Sequence, residues 1–180
     1  MKLEYKQNNI VLKVLNETSA KSVLDFYEKN RDYFDKYEMD KPAGFYTIEF
    51  IKNLMHAEYN SFVQGKTVRF FMYDTAFPNK IIGTVSFSDI KKNAMSSCVI
   101  GYKIDHDFQR MGYAQRMLTM ALKIMVNECH MHRIEAYIAP YNTASANLVK
   151  KLGFISEGTA YEYVLKHGCW EDHLRFVYIS

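Results

Sequence analysis

Apolar positions along this chain follow two rhythms, and the change from one to the other predicts its elements. Val11–Leu15, Val68–Tyr73, Ile81–Ser88 and Cys98–Ile104 are short runs rich in β-branched and aromatic residues, bounded by turn-formers, and read as strands. Pro78-Asn79 and Lys91-Lys92-Asn93 break the last three, which predicts an antiparallel meander. Ser19–Asn30 and Ile48–Asn60 carry helical spacing, with Thr18 or Ser19 and Thr47 placed as N-caps. The joint between these helices, Arg31–Tyr46, is aromatic-rich, contains Pro42 and Gly44, and has the length of a functional loop.

The second half alternates more regularly. In Gly112–Glu128 the residues Ala114, Met117, Leu118, Ala121, Ile124 and Met125 recur at i, i+3, i+4, the clearest helical stripe in the chain. Arg133–Ile138 reads as a strand and Ala144–Leu152 as a short helix stopped by Gly153. From Ile155 onward two more strands follow, ending in His173–Ile179. The expectation is one mixed α/β (α+β) domain over residues 1–180, with a mostly antiparallel seven-stranded sheet and about four helices.

Composition changes this picture little but narrows the function. At 180 residues, 48% apolar and 24% charged, the chain can bury one sizeable core and is not a disordered or fibrous sequence. A formal charge of +3 with no block of like charges gives little support to nucleic-acid binding and suits weak attraction of an anionic ligand. Cys98, Cys129 and Cys169 are widely spaced and match no zinc pattern, so they read as free thiols in a reducing compartment. The opening MKLEYKQNNI has no apolar h-region and no run reaches membrane length, so the expectation is a cytoplasmic protein, monomer or homodimer, away from membranes. His130-x-His132 has no third ligand nearby; it reads as structural, and no metal is expected.

Two segments carry chemistry. Ile104-Asp105-His106-Asp107-Phe108-Gln109-Arg110-Met111-Gly112-Tyr113-Ala114 leads from a strand through a polar loop into the striped helix. Such a loop presents unpaired N–H groups and the positive end of the helix dipole, a site for phosphate or pyrophosphate; a glycine there is also an ordinary turn. The second runs Pro140-Tyr141-Asn142-Thr143-Ala144-Ser145-Ala146-Asn147-Leu148, followed by Lys151-Leu152-Gly153-Phe154. Asn142 is placed to cap a helix or to hydrogen-bond an extended ligand along the strand ends.

Together these segments resemble the GNAT superfamily of acyl-CoA-dependent N-acyltransferases, in which Q/R-x-x-G-x-G/A holds the CoA pyrophosphate and N-x-x-A/S with K-x-G-F forms the last helix beside the pantetheine. Asn30-Arg31, Ile81-Ile82-Gly83, Gly101-Tyr102-Lys103-Ile104, Arg133-Ile134-Glu135-Ala136 and His167-Gly168-Cys169-Trp170-Glu171-Asp172 look like the branch of ribosomal-protein alanine N-acetyltransferases. The resemblance implies an acetyl-CoA-dependent transfer to a primary amine, a protein N-terminus or a small amine such as a polyamine or antibiotic. A non-catalytic acyl-CoA sensor is the alternative on the same scaffold. It further implies that the fourth and fifth predicted strands splay apart and that pantetheine bonds to the main chain of Tyr102, Lys103 and Ile104. The pyrophosphate would lie on Gln109, Arg110, Met111, Gly112, Tyr113 and Ala114, and Asn142, Ser145 and Asn147 would line the cofactor from the last helix.

For catalysis the residues leave a choice. The position where many relatives carry a tyrosine acid is Val149, leaving Ser145, or Tyr141, as donor to the thiolate. Where some relatives carry a glutamate base this chain has Val164; the base is either Glu162, two positions away and on the same face if the strand alternates regularly, or water connected to bulk solvent. Glu38 and Asp40 either attract a cationic acceptor or form a solvated acidic loop, and Trp170 either walls the acceptor cleft or packs in the core.

Overall fold

The computed structural model describes residues 1–180. In chain order the elements are β1 (Glu4–Gln7), β2 (Ile10–Lys13), α1 (Ala20–Lys29), α2 (Arg31–Asp35), α3 (Ile48–Val63), β3 (Val68–Asp74), β4 (Gly83–Lys91) and β5 (Ser97–Ile104). There follow α4 (Tyr113–Cys129), β6 (Arg133–Ile138), α5 (Thr143–Lys151), β7 (Ile155–Lys166) and β8 (Cys169–Ile179). All eight strands join one sheet in the order β1-β2-β3-β4-β5-β6-β8-β7. The expected mixed architecture holds, with eight strands instead of seven and five α-helices instead of four. The extra strand, β1, has the sequence Glu-Tyr-Lys-Gln with no apolar alternation, and is held by pairing with β2 through a turn in which Asn8 adopts φ 53°. The extra helix, α2, falls inside the expected long loop and buries only Phe34.

Local chemistry explains most of the boundaries. Thr47 caps α3 by accepting from the Phe50 N–H at 3.2 Å. The start of α1 differs from expectation: Ser19 makes no side-chain cap, and a 3₁₀ turn over Glu17–Ser19, capped by Asn16, leads into the helix. Asn142 caps α5 through the Ser145 N–H at 3.2 Å, and α5 gives way to Gly153 at φ 91°. His130 takes the left-handed position that closes α4, a structural duty for that histidine.

Each face of the sheet is covered differently. Ile10, Leu12, Phe70, Met72, Val85, Phe87, Ile100 and Phe176 point to one face, where they pack against α4 and α5 in a core of 28 buried residues. On the opposite face α1–α3 bury Val11, Phe71, Tyr73 and Ile81, in a core whose strand residues come only from β2, β3 and the approach to β4. No helix of that second core lies over the middle of β6, β7 or β8.

The sheet is antiparallel at every join but one. β5 and β6 run parallel, linked by α4, and their ladder covers only Ser97, Cys98 and Val99 against Arg133, Ile134 and Glu135. Beyond Val99 the two strands pair no further, while β5 stays paired with β4 as far as Ile104. This is the divergence expected between the fourth and fifth predicted strands. Pro140, just past the end of β6, has no N–H with which to extend a ladder.

Candidate active site

The loop from β5 to α4 is shaped by its own main chain. Arg110 takes φ 58° and Gly112 φ 78°, the latter as an N-cap that contributes no side-chain bond. In consequence the N–H groups of Arg110, Met111, Gly112, Tyr113, Ala114 and Gln115 have no acceptor in the protein. Free donors converging at the start of a five-turn helix form an anion-binding nest.

Several buried contacts hold this loop in place. Asp105, 1% exposed, accepts from Lys29 Nζ at 2.7 and 2.8 Å and caps the Asp107 N–H at 3.0 Å. Asn30, also buried, accepts from the His106 N–H at 2.8 Å and ties the end of α1 to the loop. Tyr113 donates to Asp74 Oδ2 at 2.8 Å, which fixes the first turn of α4 against β3. Asp105, His106 and Asp107 stand within ligand distance of one another, but Lys29 occupies both carboxylates, which is an ion-pair arrangement.

Alternation decides which main-chain groups of β5 face the gap. The Asp105 N–H donates to Ile82 O at 2.8 Å, so Lys103 and Gly101 also turn their peptide groups to β4. Tyr102 and Ile104 therefore direct theirs into the divergence from β6. The Tyr102 side chain crosses to α5 and donates to Ser145 O at 3.2 Å, while burial pushes its phenol up to about 12. Ser145 is thus pinned at its N–H by Asn142 and at its carbonyl by Tyr102, and its hydroxyl bonds to no other protein group.

On the opposite face a strap of consecutive residues spans the open strand ends. The Lys36 carbonyl accepts from Lys166 Nζ at 2.6 Å, the Tyr37 ring stacks on Tyr141 with centroids 6.1 Å apart, and Glu38 Oε1 pairs with Lys103 Nζ at 2.5 Å. One segment following α2 thereby touches the ends of β7, β6 and β5 in turn. Asp40 extends the contact to the β7–β8 turn, accepting from the His167 N–H at 2.8 Å.

The placement of the expected site residues is uneven. Gln109 makes no side-chain bond in the protein, and Arg110, Met111 and Asn147 are exposed beside the nest and on α5. Lys103 turns its side chain away from the cofactor face, toward Glu38 and the rings of Tyr27 and Phe34. Burial opposes ionisation of Glu38, but Lys103 and Lys41 outweigh it and hold the carboxyl below its usual range. Glu38 is thus committed to Lys103 and Lys41 and is not a free anion for a cationic acceptor, whereas Asp40 is exposed and keeps solvent access beside His167. Glu162 also departs from expectation: β7 is bulged between Ala160 and Val164, Glu162 takes φ 48°, and its alternation with Val164 is broken. It is exposed, and its N–H donates to Asp172 at 2.8 Å. Trp170 is 60% exposed on β8, which removes the core-packing option. Tyr141 donates to Glu171 Oε2 at 2.9 Å, and burial together with that carboxylate pushes its phenol up to about 12. Cys98 is buried, and burial pushes its thiol up to about 12, the state of an inert core residue.

Sequence reasoning passed over Lys29, Tyr37, Lys166 and Glu171. Of these only Glu171 lies in a segment that carries the family resemblance, beside Trp170; the others acquire their roles from partners distant in the chain.

Comparison with known proteins agrees with this geometry. The family model for the acetyltransferase (GNAT) domain matches residues 10–155. A probable N-acetyltransferase of Bacillus subtilis, YjcK, is 31% identical over 93% of this chain and 92% of its own length. The [ribosomal protein uS5]-alanine N-acetyltransferase of Escherichia coli is 29% identical over 96% of this chain and 89% of its own. The solved structure of ribosomal-protein-S5-alanine acetyltransferase from Vibrio fischeri superposes with a TM-score of 0.92 at 26% identity, over 99% of this chain and 97% of that one. The diverging strands, the nest ahead of α4 and the Asn-capped α5 are those of an N-acetyltransferase, and the chain belongs to the GNAT acetyltransferase family.

Proposed function

We propose that the protein transfers the acetyl group of acetyl-CoA directly to the α-amine of a protein N-terminus, with a ribosomal-protein alanine as the acceptor type. The observation that carries the reading is the gap between β5 and β6, with unpaired main-chain groups of Tyr102 and Ile104 on one wall and the nest at Arg110–Gln115 at one end. The nest would bind the pyrophosphate, with each charge-assisted N–H contributing about 1.5–3 kcal/mol. Tyr102 and Ile104 would hold the pantetheine as an added strand. A free N–H on this wall then meets the thioester oxygen as it gains negative charge.

Acid–base chemistry supports this acceptor type, as do the E. coli and V. fischeri relatives, both named for alanine acetylation. An α-amine of pKa about 7.7–8.0 is roughly a fifth neutral at cytosolic pH, whereas a lysine near 10.4 is about 0.1% neutral. That difference of ~2.5 units corresponds to ~3.4 kcal/mol of deprotonation that the site need not supply. The amine attacks the carbonyl, the C–N bond forms as the C–S bond breaks, and Ser145, its hydroxyl free, relays the proton lost by the nitrogen to the leaving thiolate.

Competition distinguishes the acceptors. An alanine-initiated peptide, a polyamine and an aminoglycoside offered at equal concentration with acetyl-CoA should yield N-terminally acetylated peptide as the main product. Dominant acetylation of either small amine overturns the acceptor, and acetyl-CoA binding with no amide formed indicates a sensor.

A further inference from the structure

Of three acidic side chains on and beside the strap, only Glu38 is paired with lysines, and Asp40 is half exposed to solvent. Glu38 pairs with Lys103 and Lys41, and Asp40 with His167. Glu171, near the start of β8, is half-buried and has no ion pair. One of its oxygens accepts the Tyr141 phenol at 2.9 Å, which fixes the carboxylate and leaves the other oxygen free. Directly across the ladder stands Val164, an apolar residue that offers no partner. Lys166 Nζ is 2.6 Å from Lys36 O and 3.5 Å from the Tyr141 hydroxyl, and forms no salt bridge with Glu171. Tyr141 itself follows β6, whose end borders the gap. A half-buried carboxylate without a cation of its own attracts one, and before reaction the acceptor is an ammonium ion.

We propose that Glu171 receives the acceptor ammonium and removes its proton, acting as the base for N-acetylation, with Tyr141 as its positioning residue. This rests on the α-amine reading above. The ammonium gives one proton to the Glu171 carboxylate, and the freed lone pair forms the C–N bond as the C–S bond breaks. The second proton leaves the nitrogen for the CoA thiolate, and Glu171 returns its proton to solvent, giving amide, thiol and one released proton. Tyr141 bonds Glu171 directly; Tyr37 and Lys166 stand against Tyr141, Val164 lies across the ladder, and His173 shares the strand face of Glu171 while Asp172 turns to the other.

Glu171→Gln keeps the shape and the acceptor for Tyr141 while removing the base. The test is kcat/KM for an alanine-initiated peptide from about pH 6 to about pH 9.5, with KM for acetyl-CoA measured alongside. The variant should lose about five- to tenfold near neutrality, the deficit of neutral amine there, and regain most of it at the alkaline end, where the amine is already neutral. KM for acetyl-CoA should not change, and Glu171→Asp should restore part of the rate. Wild-type rates in Glu171→Gln, or an equal loss at every pH, overturn the assignment while leaving the α-amine reading intact. If the wild-type enzyme acetylates only small amines, the α-amine reading fails and Glu171 as base for that acceptor fails with it.

Discussion

At Glu38 two opposing effects meet, and partners prevail over burial: the carboxyl is held below its usual range by Lys103 and Lys41 in spite of its partial exclusion from water. Because the folded-state pKa is lowered, the stability this group contributes is complete above the unfolded value of about 4.3 and is lost as pH falls through the folded value below it. Replacing Glu38 by Gln should therefore cost about 2 kcal/mol at neutral pH and flatten the acid side of the stability profile, as followed by urea midpoints across pH. At Ser145 the expected effect is kinetic. Ser145→Ala should lower kcat about 100-fold with little change in KM for acetyl-CoA, because the main-chain bonds to Asn142 and Tyr102 survive the substitution. Ser145, Asn142 and the run from Gln109 to Ala114 were legible in the sequence because each does its work within a few residues of its helix start. Tyr141 and Glu171 are 30 residues apart, and Glu38 meets Lys103 only through tertiary packing, so local spacing carried no sign of either pair.

Among the elements, α4 was legible nearly to the residue because its apolar stripe is unbroken and its start coincides with a glycine that needs φ 78°. Gly112→Ala puts a Cβ on that left-handed residue. It should cost about 1 kcal/mol of stability by denaturant midpoint and raise KM for acetyl-CoA about tenfold as the nest shifts. Gly83 is constrained by space: a Cβ there would lie 2.6 Å from Ile104 Cδ1 and 2.8 Å from Lys103 O. Gly83→Ala should push β4 from the end of β5 and lower stability by about 1–3 kcal/mol, measured the same way. β1 escaped detection because none of its four residues is fully buried, and its register comes wholly from β2. The bulge in β7 escaped because alternation was assumed through Glu162, where a positive φ turns the chain.

Over the whole molecule, one sheet carries two layers of helix on unequal terms, and the site lies where their coverage ends. α4 and α5 cover the face that would receive the cofactor; α1–α3 cover the other over β2 and β3 and touch the end of β5 at Lys103, and the strap at Lys36–Asp40 reaches across the strand ends beyond. On the proposed function, cofactor and acceptor would approach the gap between β5 and β6 from opposite faces and meet there in one ternary complex. The mixed α/β class and the divergence of these two strands were legible from element order together with the two motifs; the strap was not, because its contacts join segments far apart in the chain. The most direct measurement is an amide NMR titration of the uniformly ¹⁵N-labelled protein with acetyl-CoA. The account predicts that the largest shifts fall on the N–H groups of Arg110–Gln115, Tyr102 and Ile104. Saturable binding that leaves those amides unmoved, or no shift at millimolar acetyl-CoA, would contradict it.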